Sequence, residues 1–339
     1  MEKINWGILG LGEIAQKFSD GFKETTNSKL LAVSSKNSEK LKSFESKFNI
    51  EKKYLFNEYE DLINCKDIDV IYIALPNSLH HKWMLKCIDK KKKFLVEKPA
   101  VLNLKEIENI ENYRDSKNFF FTEGFMYRFQ PQILKTIDLI KKNRIGKILS
   151  IESNFGENIL SYINFFGLKF KKKMNINHRL YNKGLGGGAI LDLGCYGVSF
   201  CTLIASVQKK FQNVQVINKK KEISKTNVDL DSYVELLFDN GIKSKIGASF
   251  LNKLGRSSKI VGDNGEILIH DTWLAETPFI TLKKKKKFKI EIDNSKNIYS
   301  NEIDFISKCI LENKHEIDFP GLNLKDTIIN TKILDEWLK

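Results

Sequence analysis

The fold is decided by the stretch Gly7-Ile8-Leu9-Gly10-Leu11-Gly12-Glu13-Ile14-Ala15, which ends an apolar run and begins a segment with helical spacing. The stretch contains the pattern G-x-G-x-x-A. Its first glycine permits a tight turn, its second lets the backbone approach a pyrophosphate, and its alanine allows close helix–strand packing. A strand, a turn and a helix in this order predict a dinucleotide site. The alternative is a coincidental tight turn. We expect cofactor contacts from Gly10, Gly12, Glu13 and Ile14.

The first 123 residues alternate predicted strands and helices. Apolar strands are predicted at residues 70–75 and 94–96, and the segment between them has the apolar spacing of a helix. Such alternation is typical of a parallel sheet with helices on both faces. We therefore predict an α/β protein whose residues 1–123 form a Rossmann domain with a doubly wound parallel sheet.

The pattern changes in the second part of the chain, where longer strands are joined by short turns. Predicted strands at residues 229–238 and 242–250 flank Asp239-Asn240-Gly241, and Gly262-Asp263-Asn264-Gly265 separates two more. Asn-Gly turns between alternating strands are a strong hairpin signal. We predict that residues 124–339 form an α+β domain with a mainly antiparallel open sheet.

Composition argues against several classes of protein. No stretch of the 339 residues approaches the roughly 18–20 continuous apolar residues of a membrane span. The five cysteines are scattered without a CxxC pair, so we expect no disulfide framework and no metal site. The N-terminus is predicted to enter a strand at once and has no signal peptide, which favours a cytoplasmic location.

The net charge of +14 suggests a nucleic-acid partner at first sight. The lysines are dispersed, however, and no arginine–aromatic clusters accompany them. A solvated lysine surface explains this distribution, so we expect no nucleic-acid partner. Some of the positive field can still attract a phosphorylated cofactor.

The end of the second predicted strand bears on the choice between NAD and NADP. An acidic residue there usually accepts a hydrogen bond from the ribose 2′-hydroxyl of NAD. This chain has Ser34-Ser35-Lys36-Asn37 instead, with no carboxylate before Glu39. Serine and lysine can bind a 2′-phosphate, so we favour NADP, with NAD possible. The alternative is that Ser35 and Lys36 merely begin the next helix.

A short apolar strand, Phe94-Leu95-Val96, delivers Glu97-Lys98-Pro99 at its carboxyl end. Ligands bind outside the carboxyl ends of the strands in open α/β sheets. Lys98 is therefore a candidate for contact with cofactor and substrate. An exposed lysine after an edge strand is the alternative.

Asp192 and Tyr196 are the second candidate pair, in a segment that follows Gly186-Gly187-Gly188. In a helix, residues four apart lie on one face, one turn apart, and the glycines would let the backbone approach a ligand. A tyrosine has a reference pKa of about 10, which a nearby ammonium such as Lys98 would lower. The three side chains could then move a proton while a nicotinamide moves a hydride. A buried structural tyrosine with a capping aspartate is the alternative.

Five motifs together resemble one known family of oxidoreductases. They are Gly10-x-Gly12-x-x-Ala15, Ala74-Leu75-Pro76-Asn77-Ser78-Leu79-His80, Glu97-Lys98-Pro99, Glu123-Gly124-Phe125-Met126-Tyr127-Arg128-Phe129-Gln130-Pro131-Gln132 and Gly187-Gly188-x5-Gly194-Cys195-Tyr196. In order and spacing they are similar to the glucose–fructose oxidoreductase/inositol dehydrogenase (Gfo/Idh/MocA) family over essentially the whole chain. Tyr196, where many members have histidine, resembles the branch with xylose dehydrogenase and dihydrodiol dehydrogenase. Most of that branch has alanine at the position of Gly124.

The resemblance implies roles for individual residues. It implies that Asn77 and Glu97 contact the nicotinamide riboside and that Lys98 contacts both cofactor and substrate. The Lys98–Pro99 peptide bond would be cis, which proline makes far less costly. The aspartate and tyrosine described above would complete the catalytic set. Further cofactor contacts are expected within the same motifs, at Pro76, His80 and Arg128.

These observations favour an NADP-dependent oxidoreductase that acts on a secondary alcohol or ketone of a sugar-like substrate. A nucleotide-sugar dehydrogenase or reductase of surface-glycan synthesis is the alternative enzyme. A cofactor-sensing regulator is another class, but it would be free to lose Lys98, Pro99, Asp192 or Tyr196, and all four are present. The resemblance also implies a homodimer, or a dimer of dimers, through the C-terminal sheet at roughly residues 228–292.

Overall fold

The computed structural model describes residues 3–113, 118–163, 165, 168–172 and 174–339. The chain forms two compact units. The N-terminal unit contains Met1–Phe129 and Ser295–Ile328, and the second unit contains Gln130–Asn294 and Ile329–Lys339. This division differs from the predicted one at residues 123 and 124, because a C-terminal segment returns to the N-terminal unit.

The sheet of the N-terminal unit has six strands, and all neighbouring strands are parallel. The strands are β1 (Ile4–Leu9), β2 (Ser28–Ser34), β3 (Leu55–Phe56), β4 (Val70–Ile73), β5 (Lys93–Glu97) and β6 (Phe121–Gly124). Their order is β3-β2-β1-β4-β5-β6, the doubly wound order of a Rossmann fold. The strand order reverses between β1 and β4, which is where such sheets bind ligands.

Five helices connect these strands: α1 (Glu13–Gly21), α2 (Ser38–Phe48), α3 (Tyr59–Asn64), α4 (Asn77–Asp89) and α5 (Leu104–Glu111). Short 3₁₀ turns occupy Phe22–Glu24, Lys52–Tyr54 and Met126–Phe129. The Asn37 side chain caps α2 by accepting from the Lys40 N–H, and Asn49 ends that helix in the left-handed conformation. Helices on both faces bury the central strands, so that Ile8 and Ile71 are fully buried.

The sheet of the second unit is larger and mainly antiparallel. It contains β7 (Ile148–Gly156), β10 (Val214–Ile223), β11 (Asp229–Phe238), β12 (Lys243–Ser249), β13 (Ser258–Gly262), β14 (Gly265–Ile269), β15 (Phe279–Lys283) and β16 (Lys287–Glu291). The order is β10-β11-β12-β7-β13-β14-β15-β16, and the β12–β7 pair is parallel. The short strands β8 (Ser161–Ile163) and β9 (Lys169–Lys171) pair with each other.

Helices α6 (Pro131–Lys141) and α7 (Cys195–Ala205) belong to the second unit, and a π-helical turn at Ile190–Gly194 leads directly into α7. Two further 3₁₀ turns lie at Arg179–Tyr181 and Lys183–Leu185. One face of the sheet packs against α7, closely enough that a Cβ at Gly197 would lie 2.4 Å from Ile246 Cγ2. The helical run Lys183–Ala205 is apolar and long enough for a membrane span, but it is mostly buried, as core helices are.

The last two helices explain the division into units. Helix α8 (Ile298–Leu311) returns to the N-terminal unit, where the Ser300 hydroxyl donates to the Gly21 carbonyl oxygen at 2.7 Å. The Trp6 indole N–H of β1 donates to Ser307 Oγ of α8 at 2.9 Å. Helix α9 (Leu324–Leu338) begins in the N-terminal unit and ends in the second. The predicted fold class, a parallel Rossmann sheet followed by a mainly antiparallel sheet, is confirmed.

Candidate active site

The turn between β1 and α1 has the geometry of a phosphate-binding turn. Gly10 has a φ of +88°, and a Cβ there would lie 2.6 Å from Leu75 Cδ2. Any other residue would therefore be strained and would clash. A Cβ at Gly12, in contrast, would meet no described atom within 4 Å. Since the first N–H groups of a helix have no intrahelical partner, this open N-terminus of α1 fits a dinucleotide pyrophosphate.

Glu13 and Ile14 form the first turn of α1. The Glu13 carboxylate lies 2.7 Å from Lys17 Nζ. Its negative charge would repel a phosphate, so any contact with a pyrophosphate would come from the backbone N–H groups of these residues. The side chain of Glu13 instead suits the positive end of the helix dipole.

The end of β2 presents a mixed set of polar groups. The Ser34 hydroxyl is buried and has no hydrogen-bond partner among the described residues. The Ser35 hydroxyl accepts a hydrogen bond from the Asn37 N–H at 3.2 Å. The exposed Lys36 ammonium lies 3.8 Å from the Glu58 carboxylate. The sequence near β2 gave no sign of this acid, because Glu58 follows β3, and β3 reaches the site only by pairing with β2.

The His80 ring connects two turns of the N-terminal unit. Its ring is fully buried, with Nδ1 2.9 Å from the Pro99 carbonyl oxygen and Nε2 2.8 Å from the Leu75 carbonyl oxygen. Burial lowers the pKa of His80, and a neutral imidazole can donate only one of these hydrogen bonds. Both ring nitrogens therefore face the backbone, and the cofactor contact expected of His80 stays a prediction. His80 joins the turn after β4 to the turn after β5.

Pro76 and Asn77 lie at the start of α4. Pro76 is exposed, and the half-buried Asn77 is the first residue of the helix. Both follow the carboxyl end of β4, next to the position where β1 ends. They therefore lie at the edge of the sheet where a dinucleotide is expected.

Glu97 ends β5 and contacts the neighbouring strand β4. It accepts hydrogen bonds from the Tyr72 hydroxyl and, at 3.2 Å, from the Lys98 N–H. Burial and the Glu97 charge raise the pKa of Tyr72, which keeps its hydroxyl a donor. The Lys98–Pro99 bond is cis, as predicted. Lys98 is half-buried at the carboxyl edge of the sheet.

Arg128 is a buried cation of the N-terminal unit. It lies on the 3₁₀ turn Met126–Phe129 and is only 2% exposed. Its Nε donates to the Pro320 carbonyl oxygen at 2.6 Å. The guanidinium thereby links two segments of the N-terminal unit, and the cofactor contact expected of Arg128 stays a prediction.

Glu123 is a buried carboxyl group that the sequence analysis left without a role. It accepts hydrogen bonds from the Ala100 N–H and from the Thr327 hydroxyl, each at 2.9 Å. Burial raises the pKa of Glu123 to about 7, although these hydrogen bonds and the Arg128 charge favour the ionised form. Glu123 thus fixes the segment after Pro99 to the start of α9.

Asp192 and Tyr196 lie at the helical junction in the second unit. Asp192 is on the π-helical turn and Tyr196 is in the first turn of α7. The predicted helix is present, although its first turn is wider than an α-helical turn. Single π-helical turns inside helices are rare in proteins, and those that occur often lie at functional sites. The Asp192 Oδ1 lies 3.0 Å from Arg179 Nη1, an ion pair that the sequence analysis missed.

Tyr196 is largely buried in an aromatic cluster. Its ring lies 5.5 Å from the rings of Trp273 and Phe155, measured between centroids. Trp273 and Phe155 are stacked on each other at 5.8 Å. These contacts hold the phenol ring in one place, as a proton-transfer group requires. Trp273 follows β14 and Phe155 lies on β7, so strand pairing rather than local sequence assembles the cluster.

Two of the three glycines before the helix donate to the preceding segment. The Gly187 N–H donates to the Asn182 carbonyl oxygen, and the Gly188 N–H donates to the Leu180 carbonyl oxygen, each at 3.0 Å. A Cβ at Gly187 would lie 2.6 Å from the Arg179 carbonyl oxygen. Gly187 and Gly188 therefore let the backbone pack against the segment that carries Arg179, and the approach of this stretch to a ligand stays a prediction.

The described residues contain no group of three or more histidine, cysteine, aspartate or glutamate side chains that could hold a metal ion. The polar groups of the second unit include the Asp192 carboxylate, the Arg179 guanidinium that pairs with it from a separate 3₁₀ turn, and the Tyr196 phenol four residues after Asp192. Such groups can bind hydroxyls and transfer a proton. The turn at Gly10–Gly12 can hold a dinucleotide, which would supply redox chemistry.

Two family profiles match the chain. The profile described as "Oxidoreductase family, NAD-binding Rossmann fold" matches residues 4–125. The profile described as "GFO/IDH/MocA C-terminal domain" matches residues 133–268. Together the matches cover more than half of the chain and lie in the expected order.

Curated relatives match along almost their full length. Trans-1,2-dihydrobenzene-1,2-diol dehydrogenase of Xenopus tropicalis is 27% identical over 342 residues, which cover 98% of this chain and 97% of the relative. The mouse protein of that name is 26% identical over 344 residues, covering 99% and 96%. The human protein is 23% identical over 345 residues with the same coverage.

Solved structures share the fold. Aldose-aldose oxidoreductase from Caulobacter crescentus superposes with a TM-score of 0.85 at 21% identity, covering 99% of this chain and 96% of that chain. KijD10, a 3-ketoreductase from Actinomadura kijaniata, superposes with a TM-score of 0.80 at 18% identity, covering 98% and 96%. The matched profiles, together with the Rossmann sheet and the mainly antiparallel sheet, show that the chain belongs to the GFO/IDH/MocA oxidoreductase family.

Proposed function

We propose that this oxidoreductase uses NADP to transfer a hydride between the nicotinamide and a secondary alcohol or ketone of a sugar-like substrate. The observation that carries the proposal is the pairing of Asp192 with Arg179 one helical turn before the clustered ring of Tyr196. Curated relatives named for oxidation of a cyclic diol support the same substrate chemistry.

The proposed roles follow from the side-chain chemistry. Tyr196 takes the proton from the reacting hydroxyl during oxidation and returns it to the carbonyl oxygen during reduction. Asp192, held by Arg179, binds a substrate hydroxyl. Lys98 is proposed as the cation that favours the tyrosine phenolate. The bound nicotinamide supplies or accepts the hydride.

Support for NADP comes from the end of β2. Lys36 is exposed there, and its ammonium suits a phosphate. Glu58 opposes this preference, since its carboxylate lies 3.8 Å from Lys36 Nζ. We propose that NADP binds at least tenfold more tightly than NAD, or about 1.4 kcal/mol.

The test is a substrate panel read by NADPH absorbance, with matched reactions in NAD. The panel contains aldoses, cyclic polyols and their ketones, and one nucleotide-sugar. Turnover of an aldose or polyol with NADP supports the proposal, and turnover of the nucleotide-sugar alone would support the alternative enzyme. Tight cofactor binding without any turnover would favour a regulator.

We also propose a homodimer, or a dimer of dimers, through the open face of the large sheet. One face of that sheet packs against α7, whereas half-exposed side chains of Leu237, Val261 and Leu268 alternate with charged ones on the other. Such a mixed face suits an interface with a polar rim. Light scattering at micromolar concentration should give at least twice the monomer mass, and a monomer would refute the proposal.

A cytoplasmic location and the absence of a nucleic-acid partner remain predictions. The five cysteines are free thiols, which suits a reducing compartment. Any binding to DNA should be weak and should fall steeply with salt. Sequence-selective binding at physiological salt would contradict this expectation.

A further inference from the structure

We propose that a basic groove in the second unit binds the surface of an anionic phospholipid membrane. The basic groove lies between residues 135–144, on α6 and the loop after it, and residues 282–290 of the β15–β16 hairpin. Its cations would contact lipid headgroups, and its apolar floor would contact an acyl chain. The inference goes beyond the proposed reaction and does not depend on it, because the basic groove contains none of the candidate catalytic residues.

Segments that are distant in the sequence meet beside the basic groove. The Asp263 N–H donates to the Lys147 carbonyl oxygen at 3.0 Å, which joins the turn after β13 to the loop after α6. The same turn packs on the β15–β16 hairpin, since a Cβ at Gly265 would lie 3.1 Å from Lys284 Cγ. Two lysine-rich runs that are far apart in the sequence are therefore neighbours on the surface.

The folded segments concentrate positive charge. Five cations belong to α6 and the loop after it, namely Lys135, Lys141, Lys142, Arg144 and Lys147. Six more belong to the hairpin, at residues 283–287 and 289. The carboxylates that lie among them are Asp138, Asp263, Glu266 and Glu291. The surplus of seven positive charges is half of the chain's net charge of +14, and such a surface attracts a polyanion.

Several of these cations have no ion-pair partner in the protein. Lys142 Nζ lies 2.9 Å from the Asp138 carboxylate. Among the described residues, in contrast, Arg144, Lys147 and the lysines at 284–287 form no ion pair. Neighbouring charges of one sign repel each other, so folding stability does not explain this group. An external anion would remove the repulsion.

Protection of a sheet edge explains only part of the hairpin. Strand β16 is the last strand of its sheet, and lysines on an edge strand prevent pairing with other chains. Lys287 and Lys289 lie on β16 and fit that role. The lysines at 284–286 lie in the turn between β15 and β16, and Arg144 lies after α6. Edge protection does not account for these cations.

The basic groove combines its cations with an apolar floor. It has a volume of about 460 Å³, and Leu139, Leu282 and Ile290 line it together with Phe288. Leu139 and Leu282 are buried, whereas the Phe288 side chain is 49% exposed. An aromatic side chain among lysines is typical of protein surfaces that lie in the interface of an anionic membrane.

A phospholipid matches both parts of the basic groove. Its headgroup carries the negative charge, and its acyl chains supply apolar surface for the floor. Nucleic-acid recognition, in contrast, favours arginine forks and stacked aromatic rings, and ten of the eleven cations are lysines. Each lysine near an anionic membrane raises the affinity roughly fivefold, so the unpaired group is large enough to hold the protein there.

Co-sedimentation of the full-length protein with vesicles tests the inference. Vesicles of phosphatidylcholine alone are compared with vesicles in which about a third of the lipid is phosphatidylglycerol. The protein should bind the anionic vesicles at least about tenfold more tightly than the neutral ones. Because exposed charges are screened by salt, binding should fall steeply as salt rises from about 0.05 M to about 0.5 M.

A triple variant tests the cations. Lys284→Gln, Lys285→Gln and Lys286→Gln together should lower the affinity for anionic vesicles at least about tenfold, because three unpaired charges are lost. The matched control removes three exposed lysines of the N-terminal unit: Lys52→Gln, Lys66→Gln and Lys105→Gln. The control should bind as the parent does, and both triple variants should keep the parental unfolding midpoint.

A single variant tests the apolar part of the basic groove. Phe288→Thr should weaken binding to anionic vesicles roughly fivefold, because a half-exposed aromatic side chain can no longer be buried in lipid. Ile217→Thr is the matched control, since Ile217 is 47% exposed on β10, at the opposite edge of the same sheet. It should bind as the parent does.

The contrary outcomes are distinct. Equal binding to neutral and anionic vesicles, or binding to neither, would overturn the inference. Equal losses in the two triple variants would also overturn it, because they would reflect net charge alone. Parental binding by Phe288→Thr would overturn the assignment of the apolar floor to lipid. Duplex DNA or polyglutamate that binds more tightly than anionic vesicles, through the same three lysines, would replace the membrane with a nucleic-acid or acidic-protein partner.

Discussion

The two glycine stretches of this chain look alike in the sequence but serve different purposes. At Gly12 a side chain would meet no described atom within 4 Å, whereas at Gly187 it would meet the Arg179 carbonyl oxygen at 2.6 Å. The first stretch leaves room for a ligand, and the second lets one backbone segment pack on another. A glycine marks a close approach, but only the tertiary structure decides what approaches.

The same contrast holds for the polar residues of the two units. In the N-terminal unit His80, Glu123 and Arg128 are buried and bonded to nearby protein groups. In the second unit the Arg179–Asp192 pair is accessible on its arginine side. We therefore expect changes in the N-terminal unit to act on stability and cofactor affinity, and changes in the second unit to act on turnover.

The largest expected effects are losses of turnover, and the first of them tests the second unit. Tyr196→Phe removes the proton carrier but keeps a ring in the cluster with Trp273 and Phe155. Turnover should fall by roughly 10²–10⁴-fold, the range for acid–base groups, while NADPH still binds. Single-turnover hydride transfer, with fluorescence titration of NADPH, measures both.

Lys98 is the exception to the contrast, because it lies in the N-terminal unit but is proposed to act in the reaction. Lys98→Met should lose turnover at least as severely as Tyr196→Phe. The double variant should turn over about as slowly as the slower single variant. The effects of residues that act as a unit do not add in free energy. If Tyr196→Phe keeps most of its rate, proton transfer belongs to another group.

The next expected effect, at Glu123, is a pH dependence of the unfolding free energy. Burial raises the pKa of Glu123 from 4.5 to about 7. Folding therefore favours its protonated form, and this stabilisation is complete below pH 4.5 and is lost as the pH rises to about 7. Glu123→Gln removes the titration, so between pH 5 and pH 8 the variant should gain about 2–3 kcal/mol in unfolding free energy relative to the parent.

Urea unfolding at the two pH values measures this change. Glu111→Gln, which alters an exposed glutamate of the same unit, is the control and should show no such gain. A parallel pH dependence in the parent and in Glu123→Gln would contradict the assignment of a raised pKa to Glu123.

The structural elements predicted well from the sequence are those that depend on local order. The turn at Gly10–Gly12 and the strand ending at Glu97 follow from periodicity and from the rule that ligands bind at carboxyl ends of strands. Asp192 and Tyr196 follow from helical spacing. In each case the neighbours in sequence are also the neighbours that decide the geometry.

The contacts that the sequence did not predict depend on pairing between distant segments. Glu58 reaches Lys36 because β3 pairs with β2, and Arg179 reaches Asp192 because glycines dock its segment. His80 and Arg128 lie in recognisable motifs, but burial turns their side chains toward the protein backbone. A sequence motif identifies such residues but does not predict the orientation of their side chains.

A third change tests the contrast between the glycines directly. Gly12→Ala has room for its methyl group and needs no positive φ, so stability should not change. The methyl group would occupy the space that a pyrophosphate approaches, so affinity for NADPH should fall at least tenfold, or about 1.4 kcal/mol. Gly187→Ala should do the opposite, lowering the unfolding midpoint and sparing NADPH affinity. Equal effects of both variants on NADPH binding would contradict the assignment of Gly12 to the cofactor site and of Gly187 to backbone packing.

The smallest expected effect concerns cofactor choice at the edge of the N-terminal unit. Lys36→Asp should erase or reverse the NADP preference, because it places a negative charge where a 2′-phosphate is expected.

The exposed pair of Lys36 with Glu58, 3.8 Å apart, predicts a smaller change in cofactor preference. Glu58→Gln frees the ammonium and removes a repelling charge, so the ratio of NAD to NADP dissociation constants should rise about threefold, as expected of an exposed pair. Glu60→Gln, an exposed glutamate in α3, should leave the ratio unchanged. Because exposed charges are screened, the gain should shrink as salt rises from 0.01 M to about 1 M, and a salt-independent gain would point to a change in backbone geometry.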